Sequence, residues 1–227
     1  MQMPCSKTFR ERHFKDKFVT STIREGEMKK YFFLIMFIGS IALGQTADSL
    51  VWLRDIDSTI LTDVRYATTN NFTGKVLYKS DKVYLRKVVA ESLSIAQKYF
   101  MRQYALRIKV FDGYRPHSIQ KLMWEVMPDE KYVANPAKGS RHNRGAAVDL
   151  TLVDVTGKEI DMGTPYDDFS EKSHIDYKNL SKNVLTYREI LRTTMEKFGF
   201  EAMSSEWWHF DFKGWSKFSI MDVEFND

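Results

Sequence analysis

The chain has 227 residues, 43% of them apolar and 14% aromatic, which is ample for one packed domain with a tail. Its formal net charge is +4, but residues 1–30 hold eight Lys/Arg against four Asp/Glu, leaving 26 basic and 26 acidic residues in the remainder. The basic balance therefore belongs to the leader, which removes it as an argument for a nucleic-acid or membrane-surface partner of the domain.

From Met28 the chain reads "MKKYFFLIMFIGSIALGQTADS". Two lysines, an apolar run from Tyr31 to Leu43 and then small residues form the charged, apolar and cleavage regions of a secretory signal peptide. The run is shorter than the ~20 apolar residues of a comfortable membrane span. Cleavage is expected near Gly44, and because Gln45 rather than a cysteine follows, no lipoprotein anchor is expected. Signal peptides rarely begin behind a long polar segment, so residues 1–27 are expected to be an upstream extension, 28–44 the signal peptide and 45–227 the exported domain, most simply periplasmic. Cys5, the sole cysteine, lies in the extension, so the domain has neither a disulfide framework nor a thiol nucleophile.

Residues 50–78 carry short apolar runs and then the polar cluster "TTNNFTG", an extended segment leading into a loop. Val83, Leu85, Val88, Val89, Leu93, Ala96 and Phe100 recur at helical spacing and predict an amphipathic helix over 82–103. "LRIKVFDGY" (106–114) alternates and ends at Asp-Gly, a strand entering a turn. Pro116 opens a helix over 115–127, and the Pro-, Asn- and Gly-rich stretch 128–145 is a long loop. "AAVDLTLVDVTG" (146–157) predicts a strand and 161–174 a second polar loop. A helix over 180–200 has Ser181 as its cap and Gly199 as its stop, and Trp207 to Phe212 form a closing strand. Interleaved elements with antiparallel neighbours predict an α+β domain, a mostly antiparallel central sheet flanked by helices.

Among five histidines, His142 and His209 each sit at a loop-to-strand junction near a carboxylate. With Asp149 they supply three ligands for a zinc ion and leave a fourth position open, the pattern of catalytic rather than structural zinc. Gly145, Ala146 and Ala147 let the intervening loop fold tightly. Spacing alone is weak evidence, since a His near an Asp is more often a surface hydrogen-bonded pair. Glu206, three residues before His209, suits a base that takes a proton from an activated water, or is simply a solvated acid. Arg115 could clamp a carboxylate or an oxyanion, or merely sit at a helix start. Ser140 and His142 are too close on one turn to set up a Ser–His–acid hydrolase.

These segments resemble a known family. "SRHNRGAAVDL" fits the S-x-H-x-x-G-x-A-x-D pattern of the zinc D,D-peptidases, which share their fold with the hedgehog signalling domain, and "EWWH" fits their E-x-x-H element. More narrowly, "DVRYATTNNFTGKVLY", "DGYRP", "DMGTPYDDFSEKSH" and "SEWWHFDF" resemble the D-alanyl-D-alanine dipeptidases, including the VanX type, over about Ile56 to Phe212. The resemblance implies one zinc ion per chain on His142, Asp149 and His209, with Glu206 as catalytic acid/base and Arg115 supporting the tetrahedral intermediate. It implies that Asp167 recognises the substrate's free amine and that Ser140 lies near its carboxylate, and gives His117 and His174 no role. The expected activity is hydrolysis of D-Ala-D-Ala, with the alternatives of a D,D-carboxypeptidase on peptidoglycan stem peptides and a non-catalytic zinc-binding module. The small dipeptide is the expected partner, with no nucleic acid and membrane contact only during export.

Overall fold

Residues 49–224 are described in the computed structural model, so the expected extension, Cys5 and the signal peptide lie outside the described residues. The chain runs β1 (Leu50–Trp52), a one-turn helix α1 (Leu53–Ile56), β2 (Leu61–Thr62), β3 (Tyr84–Arg86), α2 (Lys87–Tyr104), β4 (Arg107–Asp112) and α3 (His117–Val126). It continues through β5 (Ala147–Val153), α4 (Lys182–Lys197), β6 (Phe200–Met203) and β7 (Glu206–Phe212). Five strands form the main sheet in the order β2-β4-β5-β7-β6, antiparallel except for the parallel β2–β4 pair, while β1 and β3 pair antiparallel by themselves. The domain is α+β, with helices packed on a mostly antiparallel sheet, as the sequence predicts.

The sheet centre is where the chain can bury both faces of a strand. All seven residues of β5 are buried, including Asp149 and Thr151 beside Val148, Leu150 and Leu152. Asp149 therefore occupies a solvent-poor site on a central strand, and some cation must compensate it. Helix α2 places Val89, Leu93, Ala96 and Phe100 on one face against β4 and α4. Ser181 caps α4, its hydroxyl accepting the Val184 N–H at 3.3 Å. Gly199, at φ 91, turns the chain from α4 into β6.

The helix predicted over 82–103 starts at Lys87 instead. Tyr84–Arg86 is strand β3, and its Val83 and Leu85 neighbours face the core at a spacing that fits either period until β1 is there to pair with it. The strand predicted over 146–157 stops at Val153, because Asp154–Gly157 closes a turn with the Gly157 N–H on the Asp154 carbonyl at 3.0 Å. Strand β6 is an element the sequence reading did not contain. Among the described residues no helix is long and apolar enough to cross a membrane.

Candidate active site

Antiparallel pairing sets Asp149 of β5 directly opposite His209 of β7. The third member arrives from a single 3-10 turn, His142–Arg144, that precedes β5. The turn ends at Gly145, φ 64, where a Cβ would stand 2.7 Å from Leu50 Cδ2 and 3.2 Å from the Arg86 nitrogen. Only glycine lets the chain double back there, and doubling back brings His142 onto Asp149 despite the seven-residue separation. One ligand atom each from His142, Asp149 and His209 lie within 4.8 Å of one another, and all three residues are buried.

The hydrogen bonds around the trio decide which nitrogens face inward. His142 Nδ1 lies 2.7 Å from the Gly113 carbonyl, which can only accept, so Nδ1 carries the hydrogen and Nε2 presents a lone pair. His209 Nε2 lies 2.9 Å from Asp211 Oδ1, which leaves Nδ1 facing inward. The two inward nitrogens are 3.2 Å apart, and Asp149 Oδ1 is 2.9 Å from one and 3.4 Å from the other. Two imidazole nitrogens and a carboxylate this close need a proton or a metal cation among them, and with the proton displaced the donor set fits a zinc ion, with the backing groups that metal-binding imidazoles require. Tyr166 donates to the other Asp149 oxygen at 2.9 Å. Burial alone would raise the Asp149 pKa, but His142 and His209 hold it well below the usual carboxylate range. Burial alone would likewise lower that of His209, yet Asp149 and Asp211 raise it well above the ordinary imidazole value.

All seven predicted site residues line one pocket of about 100 Å³: Arg115, Ser140 and Asp167, together with Glu206 and the His142–Asp149–His209 trio. Glu206 begins β7, three residues before His209, and is 7% exposed. Burial pushes its carboxyl up to about 8, against the opposing pull of His209. Arg115 follows β4, with its Nε and Nη2 donating to Asp112 Oδ2 at 3.1 and 2.7 Å and its Nη1 to Gln120 Oε1 at 2.9 Å. Burial opposes its charge, but Asp112 raises its pKa well above the usual value, so it is a fixed cation. Ser140 accepts the His142 N–H at 3.2 Å, at the mouth of the same turn.

Asp167 lies on the loop between β5 and α4, at a left-handed φ of 61. Its carboxylate accepts the Tyr66 hydroxyl at 3.2 Å and the Phe72 N–H at 3.4 Å, and burial together with the charge of Asp149 pushes it up to about 7. Phe169 packs against Phe72 and Tyr132, with ring centres 5.4 and 4.8 Å away, and closes the pocket above it. His117 and His174 stand outside the pocket lining. The sequence reading missed the supporting residues Asp112, Asp211, Tyr66 and Tyr166. Tyr66 and Tyr166 lie in segments quoted for the resemblance, but nothing in their neighbourhood tells where their hydroxyls end.

Comparison with known proteins gives the same direction. The peptidase M15 family, described as D-ala-D-ala dipeptidase, matches residues 46–223. A D-alanyl-D-alanine dipeptidase of Escherichia coli (strain K12) is 34% identical over 168 residues, covering 72% of this chain and 84% of that protein. A D-alanyl-D-alanine dipeptidase of Enterococcus faecium is 35% identical over 180 residues, covering 70% and 89%. A solved vancomycin-resistance D,D-dipeptidase in complex with a D-Ala-D-Ala phosphinate analogue superposes with a TM-score of 0.36 at 22% identity, over 72% of this chain and 66% of that one. With a family match that spans nearly the whole of the described chain, the protein belongs to the D-ala-D-ala dipeptidase family of hydrolases, peptidase M15.

Proposed function

We propose that this chain hydrolyses free D-Ala-D-Ala to two molecules of D-alanine, with one zinc ion held by His142, Asp149 and His209. The observation that carries the reading is the meeting, in one pocket of about 100 Å³, of that donor set with Glu206, Arg115 and Asp167. Bound there, zinc supplies a Lewis acid and a water acidified towards a pKa of roughly 7. Glu206 takes the proton from the attacking water and passes it to the leaving amine nitrogen as the peptide C–N bond breaks. Burial raises its pKa to about 8 without a metal, and a cation bound on the neighbouring trio would favour the ionised form that accepts the proton. Arg115, fixed by Asp112 and Gln120, is placed to share the charge that develops on the carbonyl oxygen. Asp167 pairs with the substrate ammonium, which would also favour its ionised form, and Ser140 lies near the substrate carboxylate.

Two fixed termini make a site for a free dipeptide. The test is release of D-alanine from D-Ala-D-Ala by the purified protein, with and without a chelator, beside an N-acylated D-Ala-D-Ala peptide. Chelator-sensitive cleavage of the free dipeptide alone is expected. Cleavage of the blocked peptide would make the protein a D,D-carboxypeptidase, and cleavage of neither would leave a zinc-binding module.

Location adds the physiological half of the proposal. With Met28 as the start and Met28–Gly44 as a signal peptide, the enzyme is exported to the periplasm and recovers D-alanine from released wall dipeptides. A dipeptidase that removes D-Ala-D-Ala before wall assembly would have to remain in the cytoplasm. Cell fractionation with N-terminal sequencing decides it: a mature chain beginning near Gln45 is expected, and a cytoplasmic chain retaining residues before Met28 would overturn it.

A further inference from the structure

Asp167 and Phe169 reach the pocket from the loop that spans residues 162–174, and the base of that loop is gripped from outside by one side chain. Arg188 sits on the inner face of α4, one turn after Val184 and just before Leu191 and Met195, all buried. An aliphatic residue would suit that stripe, yet the position holds an arginine only 4% exposed. Among the described residues no carboxylate bonds it. Its Nε donates to the Met162 carbonyl at 2.7 Å and its Nη1 to the His174 carbonyl at 3.1 Å, while its Nη2 has no hydrogen-bond partner among the described residues. Burial pushes its pKa down to about 10, with Asp161 offsetting only part of that. A buried cation is costly unless its hydrogen bonds do something an aliphatic residue cannot. Here they tie together the two ends of the loop.

The rest of the base is built around the same grip. Gly163 takes φ 86, and a Cβ there would stand 2.9 Å from Val184 Cγ1 and 3.0 Å from Leu180 Cδ2, so glycine lets the loop lie directly on α4. Thr164 and Ser173 join their hydroxyls across the loop at 2.9 Å, and Trp207 Nε1 donates to Thr164 Oγ1 at 2.8 Å. The tip has contacts of its own: Asp167, with its left-handed backbone, accepts bonds of 3.2 and 3.4 Å from Tyr66 and Phe72, and Tyr166 donates to Asp149 at 2.9 Å. The place of the Asp167 carboxylate is set by these contacts together with the base.

Resting on the dipeptidase reading above, we propose that Arg188 is a positioning residue for substrate recognition. By holding Met162 and His174 together it fixes where Asp167 stands, and so sets the affinity for the substrate's free amine without touching substrate. Its guanidinium also lies over the Trp207 ring of β7 at 5.9 Å, next to Glu206, so kcat and zinc content are read beside KM.

The experiment compares R188A, R188K and G163A with the wild type in three readouts: steady-state hydrolysis of D-Ala-D-Ala, zinc content, and amide hydrogen exchange. R188A is expected to raise KM about tenfold or more, as loss of hydrogen bonds from a charged group does, with kcat within about threefold and zinc content unchanged. Exchange should quicken across 164–172 while 147–153 and 206–212 stay protected. Added guanidinium should restore part of the KM, and R188K should fall between, because one ammonium cannot span both carbonyls. G163A attacks the same base while keeping the arginine, its added Cβ standing 3.5 Å from Arg188 Nη2, so it and R188K carry the test if R188A does not fold; both should show the KM signature. A parallel fall in kcat, zinc content and protection throughout the domain would make Arg188 a general stabiliser and overturn the proposal, as would an unchanged KM. If the wild type leaves D-Ala-D-Ala intact, the dipeptidase reading fails, and the exchange comparison still decides whether Arg188 holds the loop.

Discussion

Two aspartates in one pocket meet opposite fates. Asp149 is carried by a central strand, faces two imidazoles, and is held well below the usual carboxylate range although it is buried. Asp167 is carried by a loop tip, faces a hydroxyl and one N–H, feels the charge of Asp149, and is pushed up to about 7. The difference lies in what surrounds each carboxylate, not in the residue. It divides the pocket into a floor, where cross-strand register fixes Asp149 against His209, and a loop-borne roof, where Phe169 packs on Phe72 and Tyr132. If that division holds, changes in the floor should appear in turnover or metal affinity and changes in the roof in KM.

The largest expected effect falls on the floor. E206Q should lower kcat by about 10²–10⁴ while the protein keeps its zinc, the range for loss of a general acid–base. Metal analysis beside steady-state kinetics checks both halves, and a rise in KM with kcat intact would move Glu206 into the roof. D211N comes next. It removes the carboxylate 2.9 Å from His209 Nε2 and should weaken zinc binding about 10–100-fold, the usual cost of losing such a partner, with little change in KM for the loaded enzyme. Competition against a chelator of known affinity measures it.

Floor and roof were not equally legible in the sequence. The floor's histidines and Asp149 stand inside compact motifs, and the strands that carry them alternate or run apolar, so the sequence places both the ligands and their elements. The amphipathic stripes of α3 and α4 and the cap at Ser181 were readable for the same local reason. Legibility ended where the partner is far along the chain: Tyr66 meets Asp167 across 101 positions and Tyr78 meets Asp112 across 34. Strand β3 looked helical because Val83 and Leu85 continue into the apolar face of α2 without a break, and its pairing with β1 depends on a segment 30 residues earlier that no periodicity reveals. Strand β6 has one buried residue in four, Phe200, so nothing alternates. Arg188 reads as one more charge on a helix until the loop folds over it.

The third prediction uses pH to separate the two aspartates. In the metal-free protein Asp167 and Glu206 have raised pKa values, about 7 and about 8, so the folded state keeps protons that the unfolded chain releases. Their contribution to stability is full below the ordinary carboxylate range and is lost as pH rises towards 7–8. Asp149, with its depressed pKa, has the opposite sign: its contribution is present above the ordinary value and is lost as pH falls. Metal-free protein should therefore lose stability between about pH 5 and 7, and D167N should reduce that slope by at most one proton, about 1.4 kcal/mol per pH unit. Zinc should reverse much of the loss, since a cation on the floor favours both carboxylates in their charged form. Denaturation over this pH range, with and without zinc, provides the measurement; a D167N slope equal to that of the wild type would place the titration elsewhere.

The smallest effect tests whether the division is real. Tyr166 belongs to the roof loop, yet its hydroxyl donates to Asp149 in the floor at 2.9 Å, and its ring packs on Phe111 and Trp208 at 4.8 and 5.4 Å. Y166F keeps the ring and its packing and removes the bond to Asp149 together with a 3.3 Å contact to the Tyr66 hydroxyl. Zinc affinity should fall by about three- to tenfold, the scale of one hydrogen bond to a charged acceptor in a pocket that can relax. KM should stay where it is, because Asp167 keeps its bonds to Tyr66 and Phe72 and the loop base keeps its grip. A KM that moves as far as the zinc affinity would mean that the floor steers the roof through this hydroxyl. In that case metal binding itself would order the loop that reads the substrate's amine, and the two aspartates would belong to one device, with Tyr166 as its joint.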